Sequence, residues 1–94
     1  MNTHSFEWDT NKAELNLRKH SVTFEEATSV FADPMLITVV DDEHSVDEER
    51  YIAIGLSGQG RVLMIAHTDR HGRIHIISVR KATKDEEQFY AEAE

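Results

Sequence analysis

Cysteine is absent from this sequence. Its absence excludes disulfides and thiolate metal sites, and it fits a reducing cytoplasm. No apolar run approaches the roughly 18 residues that mark a membrane span, so no membrane contact is expected. The opening stretch MNTHSFEWD has neither a basic region nor an apolar segment, and no signal peptide is expected from it. No linker, repeat or low-complexity stretch breaks the chain, and 94 residues suit one small domain over 1–94. Positive charge is scarce: Lys and Arg number 10 against 18 Asp and Glu, a formal net charge of -8. That balance argues against indiscriminate nucleic-acid binding by the molecule as a whole.

The charge that is present falls unevenly. DDEHSVDEE, Asp41 to Glu49, holds six carboxylates and no Lys or Arg. Residues 61–84 hold Arg61, Arg70, Arg73, Arg80, Lys81 and Lys84 against one acid, Asp69. Such asymmetry points to an anionic ligand or a charged partner, with an unevenly charged solvated surface as the plain alternative.

FEW, Phe6 to Trp8, alternates apolar and acidic residues and predicts a short edge strand. Asp9 or Thr10 can cap a helix through NKAELNLRKH. Thr23 is a natural N-cap for a second helix, with Glu26 as its capping-box partner. Phe24, Ala27, Val30 and Phe31 then share roughly one face. Asp33-Pro34 ends that helix, because the residue before proline avoids the helical region. Four strands follow: MLITVV, RYIAIGLS, RVLMIAHTD and RIHIISVRK. Short links between the last three favour an antiparallel meander. Thr83 caps a closing helix, with Glu86 as its capping-box residue. The expected order is β-α-α-β-β-β-β-α, an α+β fold with helices on a twisted antiparallel sheet.

The hairpin HTDRHGRIH is the candidate for chemistry, with a solvated hairpin end bearing a surface salt bridge as the plain alternative. A two-residue turn on His71-Gly72 puts Arg70 opposite Arg73, and like charges so placed repel. A three-residue turn, Arg70-His71-Gly72, puts Asp69 opposite Arg73 and His67 opposite His75. On that register His67, Asp69, Arg73 and His75 share one face, and Arg80 lies on the other unless a bulge intervenes. Imidazoles transfer protons near neutral pH, and guanidinium groups clamp phosphate. RNA brings its own nucleophile, the 2′-hydroxyl, so this set suffices for phosphodiester cleavage without metal or other cofactor.

The strings FEWDTNKAELNLRKHSVTFEEA, VFADP and RIHIISVRKATKDEEQFY together resemble the BrnT family of bacterial toxins, over nearly the whole chain from Phe6 to Tyr90. The resemblance implies a RelE-like fold and RNA cleavage that arrests translation. It also implies a BrnA antitoxin with a ribbon-helix-helix domain, and contact with operator DNA only through that antitoxin. Lys19, His20, Arg70, Arg73, Ser78, Arg80, Glu87 and Tyr90 match the family pattern. The chain departs from it at His75, where arginine is usual, at Val79, where alanine is usual, and at Ser21, where glycine is usual.

The expected catalytic residues are His67, Arg70, Arg73, His75 and Arg80. Lys19, His20, Arg61 and Lys81 are the expected RNA contacts, and Glu87 and Tyr90 the expected antitoxin contacts. Two other readings stay open. One is a catalytically silent subunit that serves only as antitoxin partner and co-repressor, its activity lost with changes such as His75. The other is a zinc-binding module using His67, Asp69 and His75.

Overall fold

The structure, a computed structural model, describes residues 5–93. Its elements are β1 (Phe6–Glu7), α1 (Thr10–His20), α2 (Phe24–Val30), β2 (Ile37–Val40), a short 3-10 turn (Asp42–His44), β3 (Arg50–Leu56), β4 (Val62–Arg70), β5 (Arg73–Lys81) and α3 (Lys84–Glu92). The five strands lie in the order β1-β5-β4-β3-β2. Strands β2 to β5 pair antiparallel, as the short links require, but β1 runs parallel to β5, with Phe6 beside Ile74 and Glu7 beside His75. The sheet is therefore mixed rather than wholly antiparallel. A two-residue strand that pairs with the far end of the chain carries no local sign of its direction.

Caps set the helix starts. The Asp9 carboxylate accepts the Asn11 and Lys12 N–H groups at 2.8 and 3.1 Å. Thr83 and Glu86 form the full capping box on α3. On α2 only half of the expected box forms. The Thr23 hydroxyl accepts the Glu26 N–H at 3.0 Å, but the Glu26 carboxylate turns to Arg61 and Ser57. A bidentate charge-assisted pair outweighs one bond to a backbone N–H.

The core lies between α2 and one face of the sheet. Phe24, Ala27 and Val30 of α2 meet Ala53, Leu63, Ile65, Ile76 and Val79, all fully buried, with Trp8 edge-on to Phe24 at 5.8 Å. Each large apolar side chain so buried contributes about 1.5–3 kcal/mol. α1 has no such stripe and buries only Asn16. Its amide donates to Val79 O at 2.9 Å and Val22 O at 3.1 Å, and accepts the Val79 N–H at 3.0 Å. Since β1 pairs with β5 only at Ile74 and His75, this side chain takes the place of a strand neighbour further along the edge.

Asp33 does more than precede proline. Its carboxylate accepts the Met35 N–H, the Leu56 N–H and the Tyr90 hydroxyl, at 2.9, 2.8 and 2.5 Å. It thereby ties the end of α2 to β3 and α3. Burial raises its carboxyl pKa, but those donated bonds more than offset it and hold the group below the usual range.

The expected register of the β4–β5 hairpin is overturned. The turn has two residues, with His71 at φ 52 and Gly72 at φ 78, both positive as a type I′ turn requires. Arg70 faces Arg73, Thr68 faces His75 and His67 faces Ile76. Further along, Ala66 faces Ser78, so Ile77 is an extra residue, a bulge.

Candidate active site

Opposed residues of an antiparallel pair point to the same side of the sheet. The register therefore sorts the hairpin into two sets. His67, Asp69, Ile74 and Ile76 turn to the face that α2 covers. Thr68, Arg70, Arg73 and His75 turn to the outer face. The bulge at Ile77 shifts the parity, so Ser78 and Arg80 also turn outward, beside Ala66 and Met64. Arg70, Arg73, His75 and Arg80 thus share one face, while His67 does not.

His67 is the clear correction. It is 5% exposed, with Tyr51 stacked on its ring at 5.4 Å and Phe31 edge-on at 5.2 Å. Both ring nitrogens are buried without a hydrogen-bond partner. Burial pushes its pKa down. A substrate on the outer face is out of its reach. The same register separates His67 and Asp69 from His75, which removes the zinc reading. Among the described residues no group of three or more His, Cys, Asp or Glu is placed to hold a metal.

On the outer face His75 is held by a carboxylate that the sequence did not reveal. Glu7 Oε2 lies 2.9 Å from His75 Nδ1, and Glu7 Oε1 lies 4.0 Å from Arg73. Two-residue β1 places Glu7 there, by its parallel register with β5. With Nδ1 so engaged, Nε2 is the nitrogen left for a substrate. The Thr68 hydroxyl, directly across the ladder from His75, is buried and has no partner.

The other outer-face cations are also paired. Arg70 clasps Glu48 of the acidic loop, at 2.6 and 3.1 Å, and holds that carboxyl below its usual pKa range. Arg80 clasps Glu86 at 2.7 and 3.0 Å, with the same effect on Glu86. The acidic loop thus has one member docked on the basic hairpin rather than being wholly solvated.

The remaining candidates scatter. Arg61 is turned away from the hairpin and bonds the buried Glu26 through Nε and Nη2, at 2.8 and 2.6 Å. Lys81 is exposed at the end of β5, opposite Leu63. Lys19 and His20 line a groove between α1 and β5. Glu87 is exposed on α3, while the Tyr90 hydroxyl is committed to Asp33, which pushes its pKa up to about 12.

A family model described as the ribonuclease toxin BrnT of type II toxin-antitoxin systems matches residues 8–86. The chain belongs to the BrnT toxin family. Among solved structures it is similar to the ribonuclease toxin BrnT of Brucella abortus, with a TM-score of 0.63 and 20% identity, over 87% of this chain and all of that one. At that identity the likeness speaks for a shared α+β fold. No curated protein sequence matches the chain. Membership of a type II family implies a protein antitoxin as the partner of this BrnT-family chain. Among the described residues no helix is long and apolar enough to cross a membrane.

Proposed function

We propose that this BrnT-family protein is a metal-independent endoribonuclease that arrests translation in the cytoplasm. A BrnA-like ribbon-helix-helix antitoxin neutralises it and alone touches operator DNA. The observation that carries cleavage is His75, set on the outer face by Glu7 with Arg73 beside it. In the reaction the RNA 2′-hydroxyl attacks the adjacent phosphorus and the bond to the 5′ oxygen breaks. His75 Nε2 serves the proton transfers, and Arg70, Arg73 and Arg80 stabilise charge on the phosphate. Where the family usually has arginine, histidine adds proton transfer at the cost of a permanent clamp. Lys19, His20 and Lys81 contact RNA, and Glu87 contacts the antitoxin.

The test is cleavage of a long RNA by purified, antitoxin-free protein in excess EDTA. Wild type should cut, while His75→Ala and Arg73→Ala should each lose most of the rate. Full activity in both variants would put the site on the wrong face.

A second reading has its own observation. Arg70 and Arg80 are each clasped by a carboxylate of the same chain. A surface so neutralised also suits a silent subunit that only engages its antitoxin. Absence of cleavage under every condition, with antitoxin binding intact, would favour it.

A further inference from the structure

The arginines of the hairpin are all paired, and of its Lys and Arg side chains only Lys81, at the far end of β5, is free of an ion pair among the described residues. Among the described residues Arg61, Arg70, Arg73 and Arg80 are each paired to a carboxylate, and His75 shares Glu7. The basic side chains of α1 differ: among the described residues Lys12, Arg18, Lys19 and His20 form no ion pair. Scarcity of acids does not explain this, since the chain has 18 carboxylates for 10 Lys and Arg.

Three of those four basic side chains line one groove. Lys12, Leu15, Asn16, Lys19 and His20 of α1 face Ile77 and Ser78 of β5 across a space of about 200 Å³. No acid lines it. Lys12, Asn16 and Lys19 fall at i, i+4 and i+7, so they share a helix face, and the two lysines stand roughly 10 Å apart along the axis. Leu15 is 61% exposed beside them, a large apolar side chain with no cover. The β5 wall of the groove is the bulge itself. Ser78 belongs both to the groove and, by register, to the outer face that bears His75 and Arg80. Ser78 thus lies at the border of both sites.

We propose that this groove binds the sugar-phosphate backbone of a single RNA strand, as a subsite flanking the cleaved linkage. The proposal rests on the RNA-cleaving reading above. Lys12 and Lys19 each meet a phosphate, His20 lies beside them, and Leu15 and Ile77 offer an apolar floor to a base. The absence of any lining carboxylate selects a polyanion. The apolar floor selects a strand with unpaired bases, which a duplex does not present.

The experiment measures binding of a short single-stranded RNA whose 2′-hydroxyls are methylated, so that it binds without being cut. Affinity is followed by fluorescence anisotropy over a range of salt. The double variant Lys12→Gln/Lys19→Gln should bind about tenfold more weakly at low salt. Its salt slope should fall by about 1.4, at roughly 0.7 for each lost phosphate contact on a single strand. Lys84→Gln, an unpaired cation at the start of α3, should match wild type. Equal affinity and slope for the double variant and wild type would overturn the subsite and leave the ribonuclease reading standing. An equal loss in Lys84→Gln would also overturn it, since net charge alone would then explain the effect. Wild-type RNA binding in the double variant with loss of the antitoxin complex would assign the groove to the antitoxin instead. Failure of wild type to bind any RNA would sink both readings together.

Discussion

Glu7 and His75 lie 68 residues apart in sequence and side by side in the sheet, with Glu7 Oε2 2.9 Å from His75 Nδ1. A carboxylate on one imidazole nitrogen selects the tautomer that offers the other nitrogen to solvent. His75→Ala should lower the rate of RNA cleavage by about a hundredfold or more. Glu7→Gln should lower it by about tenfold to a hundredfold through loss of orientation. His75→Arg should fail to restore it, because guanidinium does not exchange protons near neutral pH. Faster cleavage by His75→Arg would show that the position is only a phosphate contact.

Ser21 ends α1 at φ 57 and ψ 33, in the left-handed region. That conformation costs an ordinary residue roughly 1–2 kcal/mol, and glycine avoids the cost. Glycine loses more backbone entropy on folding, so the net gain is smaller. Ser21→Gly should therefore stabilise the protein by about 0.5–1 kcal/mol, read as a higher urea midpoint with an unchanged slope. A lower midpoint would mean that the Ser21 side chain contributes something the backbone does not show.

His67 predicts a pH dependence. Burial depresses its folded pKa below the ordinary histidine value of about 6.5, so the unfolded chain binds the proton more readily. Its contribution is fully present above about pH 6.5 and is lost as pH falls toward the folded value, at up to about 1.4 kcal/mol per unit of depression. Thermal unfolding from pH 7 to 5 should show wild type losing stability faster than His67→Phe, which keeps an aromatic ring between Tyr51 and Phe31. Parallel curves would remove His67 as the cause.

Arg61 and Glu26 form an ion pair whose carboxylate is buried. Glu26 is 6% exposed, and its carboxyl is held below the usual range chiefly by the Arg61 hydrogen bonds. Arg61→Ala leaves that carboxylate buried with the Ser57 hydroxyl as its remaining side-chain donor. The cost should be about 3 kcal/mol, the low end for breaking a buried pair, because the Arg61 side chain keeps 32% of its surface in solvent. Chemical denaturation measures it directly. A change under about 0.5 kcal/mol, the usual range for a surface substitution, would show that Glu26 relaxes to solvent or takes up a proton.

Local chemistry was legible along the chain. Asp9, Thr23 and Thr83 cap their helices because each side-chain oxygen meets N–H groups two or three residues away. Phe24, Ala27 and Val30 reach the core because their spacing is that of one helix face. The basic outer-face residues were legible as types, but the face they occupy was not. One signal was available for it: IHIISVR breaks strict alternation at Ile76-Ile77, which is where the bulge falls. Glu7, Glu48 and Glu86 gave no signal as partners, since nothing in a string of residues says which carboxylate meets which cation.

The order and type of the elements follow from the sequence by itself, because caps, periodicity and turn residues act over a few positions. The register of β4 and β5 was decided only by the tertiary structure. The expected three-residue turn avoided setting Arg70 against Arg73, an exposed repulsion of about 1 kcal/mol at most. It would also have turned Arg73 and His75 toward α2 and Ile74 outward. The observed register buries Ile76 fully and Ile74 in part, and a buried isoleucine is worth about 1.5–3 kcal/mol. Glu48 then clasps Arg70, and Glu7 lies 4.0 Å from Arg73. Burial summed over a whole sheet face outweighs one screened charge pair, and that balance becomes visible only once the helices lie on the sheet.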